Sequence, residues 1–365
     1  MREKIDYIDG IKGVGCLMVM LGHYYCIYSL AESFVAMPQV PARIMRLFSF
    51  FLDADLGLFI FALLSGFCIA MSKIDTFKKL VQTIIKRFLR FVLPVLGANI
   101  IIYFIYREIG FHNASTAGLF VNKWFQGYYQ VDMWFGLAVR DSVATVLGTG
   151  AVFNPPFWVI SYFFYSSVII YIGNYLESKM PDKFKYILYL AELLLAAYVL
   201  GTNGFAIVLG AIWYKTWDNE FLAKIIDKRI LSGAAIGCFI LLSGGATWMG
   251  DVLGNNLFSN PWLEIIYAAV ILYAISKIDV LKKVFSNRSL VALSKLSFGI
   301  YALHWPIICS ITSLLFLACE FNAVSYFGIG IITVAVVFLF AIGYYFTVEL
   351  GCGLFLKLLA KKRIL

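Results

Sequence analysis

Two histidines lie deep inside apolar stretches of this chain, and their position is the first chemical clue. His23 follows Lys12 by eleven residues, in a stretch that opens with charges and then turns apolar. Eleven residues make almost three helical turns, so the two side chains share a face, about 16 Å apart along the axis. With Lys12 at a membrane surface, His23 falls near the middle of a hydrocarbon core about 30 Å thick. His304 stands nine residues past Lys295, about 14 Å into its own apolar stretch. Ser65 stands ten residues past Asp55, about 15 Å in from the opposite face. Three polar side chains at one depth predict a midplane site. There a neutral imidazole, His23, can take a proton from a hydroxyl. Ser65, Tyr301 and His304 are the candidates for stabilising an oxyanion. One histidine alone would read as an interhelical hydrogen bond; a matched pair reads as function. Glu192 is a further intramembrane candidate, either a buried partner or a group facing a water-filled substrate path. His112, in a loop, reads as structural.

The stretch Lys86-Arg87-Phe88-Leu89-Arg90 precedes Pro94 and sets Arg87 and Arg90 three apart on one helical face. Such a cluster either anchors to anionic lipid or clamps phosphate at the cytoplasmic mouth of a cavity, through bidentate guanidinium contacts. Lys12 and Lys86 are candidate companions. The segment 107–156 is dense in aromatic residues. It reads first as interfacial helices lying on the bilayer. Its aromatic faces, with Asp132, Arg140 and Asp141 nearby, are also suited to receiving a sugar.

These residues need elements to hold them, and composition says which. Of 365 residues 62% are hydrophobic and only 14% charged, well below the quarter typical of soluble domains. The expected fold is all-α, a polytopic integral membrane protein of about ten transmembrane helices: 11–30, 56–72, 91–106, 157–176, 186–200, 205–217, 230–248, 262–276, 296–319 and 326–348. The fifth and sixth are joined by a tight turn, Gly201-Thr202-Asn203-Gly204. With the N-terminus in the cytoplasm, 25 of the 30 lysines and arginines fall in inside segments. This predicts both termini inside. The net charge of +9 is parcelled between apolar segments, so it reads as a topology signal and not as a nucleic-acid surface. The seven cysteines show no CxxC and no regular spacing, which indicates neither a metal site nor a disulfide framework. Cys26 and Cys319 fall near one predicted face and could pair. The first apolar run is long enough to span, so it is read as a helix and not as a cleaved leader. No repeat, linker or composition shift divides the chain, which is expected to form one membrane-embedded domain over 1–365.

The order of these features resembles the acyltransferase-3 family of bacterial membrane O-acyltransferases. The resemblance rests on Ile8-Asp9-Gly10-Ile11-Lys12-Gly13 followed by His23, on Ser65-Gly66-Phe67, on Arg87, Arg90 and Pro94, on Phe157-Trp158-Val159-Ile160, on Ser297 to His304, and on Glu349. It covers nearly the whole chain. Three positions depart from the family pattern: Lys12 replaces the usual arginine, Phe163 stands where a glutamate usually follows the tryptophan motif, and Glu349 lacks its following proline. The resemblance implies a multi-pass protein of the inner (plasma) membrane. It implies a cytosolic acyl-CoA donor, commonly acetyl-CoA, with no metal, and a hydroxyl acceptor on a cell-envelope or exported polysaccharide or glycolipid. Envelope biosynthesis partners would follow. Within it, His23 is the expected base and Lys12, Lys86, Arg87 and Arg90 hold the donor; Trp158, Asp132, Arg140 and Glu192 are the acceptor candidates. Direct transfer and a covalent acyl-enzyme are both open. Two other readings use similar parts: a transporter or flippase for acyl groups or lipid-linked sugars, and a multi-span glycan polymerase.

Overall fold

The structure is a computed structural model that describes residues 6–28, 49–120, 122–216 and 260–361, with a few positions between 230 and 237. Every assigned element among the described residues is helical. The principal helices are α1 (Asp6–Tyr28), α2 (Ala54–Ala70), α3 (Phe77–Glu108), α4 (Phe135–Val146), α5 (Val159–Glu177), α6 (Lys185–Lys215), α7 (Pro261–Lys277), α8 (Ser297–Ile307) and α9 (Ala323–Tyr344). Two π-helical turns, Ile308–Thr312 and Tyr345–Glu349, carry α8 and α9 into further helical turns.

Helix starts follow local chemistry. The Asp53 carboxylate accepts the Leu56 amide at 2.9 Å, Thr76 accepts that of Lys79 at 3.3 Å, and Asn322 and Ser325 form a reciprocal capping box. The basic stretch Lys86–Arg90 is helical as expected and belongs to α3, whose 32 residues extend about 48 Å and outrun a hydrocarbon core.

Six helices among the described residues are long and apolar enough to cross a membrane, against ten expected, and the difference has physical causes. The expected spans at 56–72 and 262–276 form helices of only 17 residues each. All but a few positions of the expected span at 230–248 lie outside the described residues. The expected spans 186–200 and 205–217 are the two arms of α6, which folds back on itself at Gly201, where φ is +60°. The Lys215 ammonium lies 3.4 Å from the Glu192 carboxylate; a straight helix would separate them by about 35 Å. Gly201 supplies the left-handed backbone that this reversal requires.

α1 and α2 run antiparallel, and their glycines set the register. A side chain at Gly22 would meet the Leu52 carbonyl at 2.7 Å and Ala54 at 2.9 Å, and one at Gly57 would meet Gly15 and Val19 at 3.0 and 3.1 Å. α2 also sits tightly on the second arm of α6, where Gly66 faces the Ile207 carbonyl and Gly210 faces that of Leu63. Small residues let membrane helices approach to backbone contact in this way. The apolar core divides into one cluster around α2, α6 and α7, a second around α3, α5, α8 and α9, and a third of aromatics around Tyr28, Phe125 and Trp305.

Candidate active site

A cavity of about 250 Å³ lies where α1, α2, α3, α5 and α8 converge. On α2 its wall is Ala54, Asp55, Leu58, Phe61 and Ser65, a stripe at three- and four-residue spacing along one helical face. The stripe makes the cavity elongated, about 16 Å from the level of Ala54 to that of Ser65. Phe91, Trp158, Phe163 and Phe298 make the walls largely aromatic.

His23 stands at the Ala54 end, because the α1–α2 register sets Gly22 against Ala54. Its Nδ1 lies 2.8 Å from Nε2 of His304, and the two rings stack with an interplanar angle of 6°. His304 is fully buried and lies behind His23, off the cavity wall. On its far side, Nδ1 of His304 lies 2.8 Å from the Tyr301 carbonyl and 3.2 Å from that of Ile300. Carbonyls only accept, so Nδ1 of His304 carries a proton. In the neutral ring Nε2 is then an acceptor, and it takes the hydrogen bond from Nδ1–H of His23. The unprotonated nitrogen of His23 is therefore Nε2. This tautomer follows from the hydrogen-bond network. A base held in one tautomer by a second group, itself fixed by a third, is the arrangement that general-base catalysis uses.

Arg87 marks the opposite end. Its Nε donates to Ser167 Oγ at 3.0 Å and its guanidinium lies 4.5 Å over the Phe91 ring. No carboxylate within ion-pair distance of Arg87 appears among the described residues. Lys12 reaches the same end, with its ammonium 3.6 Å from both Cys68 and Asp9. The cavity thus runs from a cationic end to a histidine pair.

The structure brings together five of the residues expected from sequence: His23, Ser65, Arg87, Trp158 and Tyr301 all line this one cavity. It corrects the roles of several. Ser65 does not share a depth with His23; the helix register moves it about 16 Å along α2, to the Arg87 end. Tyr301 donates its one O–H to the Pro156 carbonyl, which leaves its oxygen only as an acceptor. His304 faces His23 and not the cavity, so it is not placed to meet an oxyanion there. Lys86 and Arg90 do not line the cavity, and Arg90 is exposed although it shares a helical face with Arg87. Asp132 and Arg140 are exposed on the aromatic segment, away from the cavity. Glu192 is buried in an ion pair with Lys215, which also lies 3.1 Å from Glu177. It locks the α6 hairpin to α5 and does not reach the cavity. Only a glycine at 173 leaves it room, since a side chain there would come within 1.9 Å of Glu192 Oε1. Cys26 and Cys319 are free thiols.

Sequence reasoning missed the segment that closes one side of the site. The Asp141 carboxylate accepts the amides of Ala151, Val152 and Phe153 at 2.9, 3.0 and 3.1 Å. Tyr129 donates to the Phe153 carbonyl at 3.0 Å, and burial pushes its phenol up, well above the ordinary range, so it stays a neutral donor. From sequence, Asp141 reads only as a group beside a sugar-receiving face, thirteen residues before the Asn154-Pro155-Pro156 turn; the structure buries it in this loop instead.

Against known proteins, a family model described as an acyltransferase domain matches residues 5–342, which is nearly the whole chain. No curated protein and no solved structure matches.

Proposed function

Since this chain belongs to the acyltransferase-3 family, a membrane acyltransferase, we propose that it moves an acyl group, an acetyl in the simplest case, from a cytosolic acyl-CoA to a hydroxyl of a cell-envelope or exported glycan or glycolipid. The observation that carries this reading is the elongated cavity with Arg87 at one end and the His23–His304 pair at the other. An acyl-CoA is built to match: an anionic head, a long uncharged arm and a reactive thioester. On this reading Arg87, with Lys12 nearby, holds a donor phosphate at the cytoplasmic end. The aromatic walls accept the pantetheine arm, and the thioester rests beside His23.

The chemistry then needs few groups. Nε2 of His23 takes the proton from the acceptor hydroxyl as the oxygen attacks the thioester carbon. The tetrahedral intermediate collapses with cleavage of the carbon–sulfur bond, and the proton passes from His23 to the departing thiolate. His304 holds the orientation of His23 throughout and shares the positive charge of the protonated ring. Trp158, half-exposed and on the cavity wall, is placed to meet the acceptor. The inner membrane and envelope biosynthesis partners belong to the same reading.

The test uses purified protein in lipid with radiolabelled acetyl-CoA, comparing wild type, His23→Ala and Arg87→Ala. The reading expects free CoA release that needs His23, and weaker donor affinity in Arg87→Ala. Label retained on protein would indicate an acyl-enzyme step. No donor binding and no release, with envelope extract supplied, would overturn it in favour of a transport pathway.

A further inference from the structure

α8 contains a proline two residues after His304. Pro306 has no N–H, so the carbonyl four residues earlier, that of Ala302, loses its helical partner. Ala302 is fully buried, and an unsatisfied carbonyl in an apolar interior is strongly disfavoured. The chain supplies a substitute from elsewhere. Asn154 donates through Nδ2 to the Ala302 carbonyl at 2.7 Å. Asn154 is itself fully buried, and its Oδ1 has no partner, so this bond is the polar contact its side chain makes.

The rest of the segment is built to deliver that amide. Ala151 sits at φ +117°, a conformation that L side chains avoid. It is held there by Asp141, which takes three consecutive amides just before Asn154. Two residues beyond Asn154, the Pro156 carbonyl accepts from Tyr301. Both contacts land on the turn of α8 that immediately precedes His304. A proline in a helix kinks it unless the freed groups are re-bonded, and a kink here would swing the imidazole away from His23.

We propose that Asn154 is a positioning residue for His304: it stands in for the amide that Pro306 lacks and fixes the turn of α8 that presents Nε2 of His304 to His23.

The proposal predicts a coupling that simple stabilisation would not produce. Replacing Pro306 by alanine restores an N–H to the Ala302 carbonyl, so Asn154 becomes dispensable. The experiment compares wild type, Asn154→Ala, Pro306→Ala and the double variant in lipid. One readout is kinetic, acetyl-CoA turnover, and rests on the acyl-transfer reading. The other is the nitrogen NMR signals of selectively labelled histidines, which needs no activity. The expected result is a kcat about a hundredfold lower in Asn154→Ala at unchanged donor KM, as for a displaced catalytic group. His304 signals should change with it. In the Pro306→Ala background, Asn154→Ala should change neither readout. Equal losses in both backgrounds, or histidine signals indifferent to Asn154, would overturn the proposal. If Asn154→Ala does not fold, Asn154→Asp gives the same test, since it keeps the shape and turns the donor into an acceptor. Coupled histidine signals in a protein that turns over no acyl-CoA would retain the positioning role and remove the acyltransfer reading alone.

Discussion

On the proposed acyl-transfer reading, removal of His304 should disable His23 as the base without touching donor binding. In the structure His304 contributes one acceptor, Nε2, 2.8 Å from Nδ1 of His23. His304→Ala deletes that acceptor and leaves the Nδ1–H of His23 without a partner, a penalty of about 1–3 kcal/mol for a desolvated donor. The ring escapes the penalty by turning or by moving its proton to Nε2. Either change takes the free lone pair away from the cavity. The loss should then approach the whole contribution of a general base, about 10²–10⁴ in rate, or about 3–5 kcal/mol of barrier. The Arg87 end lies about 16 Å away along α2, so donor KM should not move. His304→Gln retains a side-chain acceptor and should recover part of the rate. The assay is thiol release from acetyl-CoA by protein in nanodiscs, with expression and thermal unfolding checked for each variant. A folded His304→Ala enzyme that keeps kcat within about threefold of wild type would refute the tautomer argument.

Three further outcomes follow from other parts of the fold. Phe163→Glu sets a carboxylate in the cavity that Arg87 also lines; donor affinity should weaken roughly tenfold, about 1.4 kcal/mol, in an equilibrium binding assay. Gly66→Ala places a methyl 1.7 Å from the Ile207 carbonyl and should cost about 1–3 kcal/mol, read as a lower unfolding temperature, whereas Gly343→Ala meets nothing within 4 Å and should leave it unchanged or slightly raised. Asp75, just before α3, is held below the ordinary carboxylate range by its own backbone amide and then by Lys79 at 3.3 Å. Its contribution is present above the unfolded aspartate pKa, about 4, and is lost as pH falls through the lower folded value. Amide exchange in the first turn of α3 should therefore rise on acidification, and Asp75→Asn should show the same rise at neutral pH.

The helical membrane class and the matched depth of His23 and His304 were legible because hydropathy and depth are one-dimensional properties; that the two rings bond to each other was not. Counting residues from Lys12 and Lys295 gave the right answer for two helices that meet at one level. The same counting failed for Ser65, since depth from Asp55 presumes that each span starts at the membrane face. The glycine contacts between α1 and α2 slide the helices so that Asp55 itself lies near His23. The turn at Gly201 was also legible, from glycine chemistry. Glu192 was misread because its partner Lys215 is 23 residues away in sequence and becomes adjacent only after that turn reverses the chain. The grip of Asp141 and Asn154 could not be read at all. It joins a backbone vacancy made by one proline to a side chain 148 residues distant, and no periodicity records such a match.

The α6 hairpin also bears on the lipid around the protein. Its arms, 185–200 and 202–215, are each about 21–24 Å long, and α2 alongside them is about 25 Å. All three fall short of a hydrocarbon thickness of about 30 Å. Of the three, the first arm of α6 faces outward, with Leu190, Leu194, Tyr198 and Val199 exposed, and lipid next to it must thin or tilt to cover it, a hydrophobic mismatch that costs fractions of a kcal/mol per Å. The long α3 and the extended α9 impose no such demand on their own side. The protein therefore sits in an annulus of uneven depth, thinnest beside the exposed first arm of α6, which in turn packs over the buried α2 that walls the cavity.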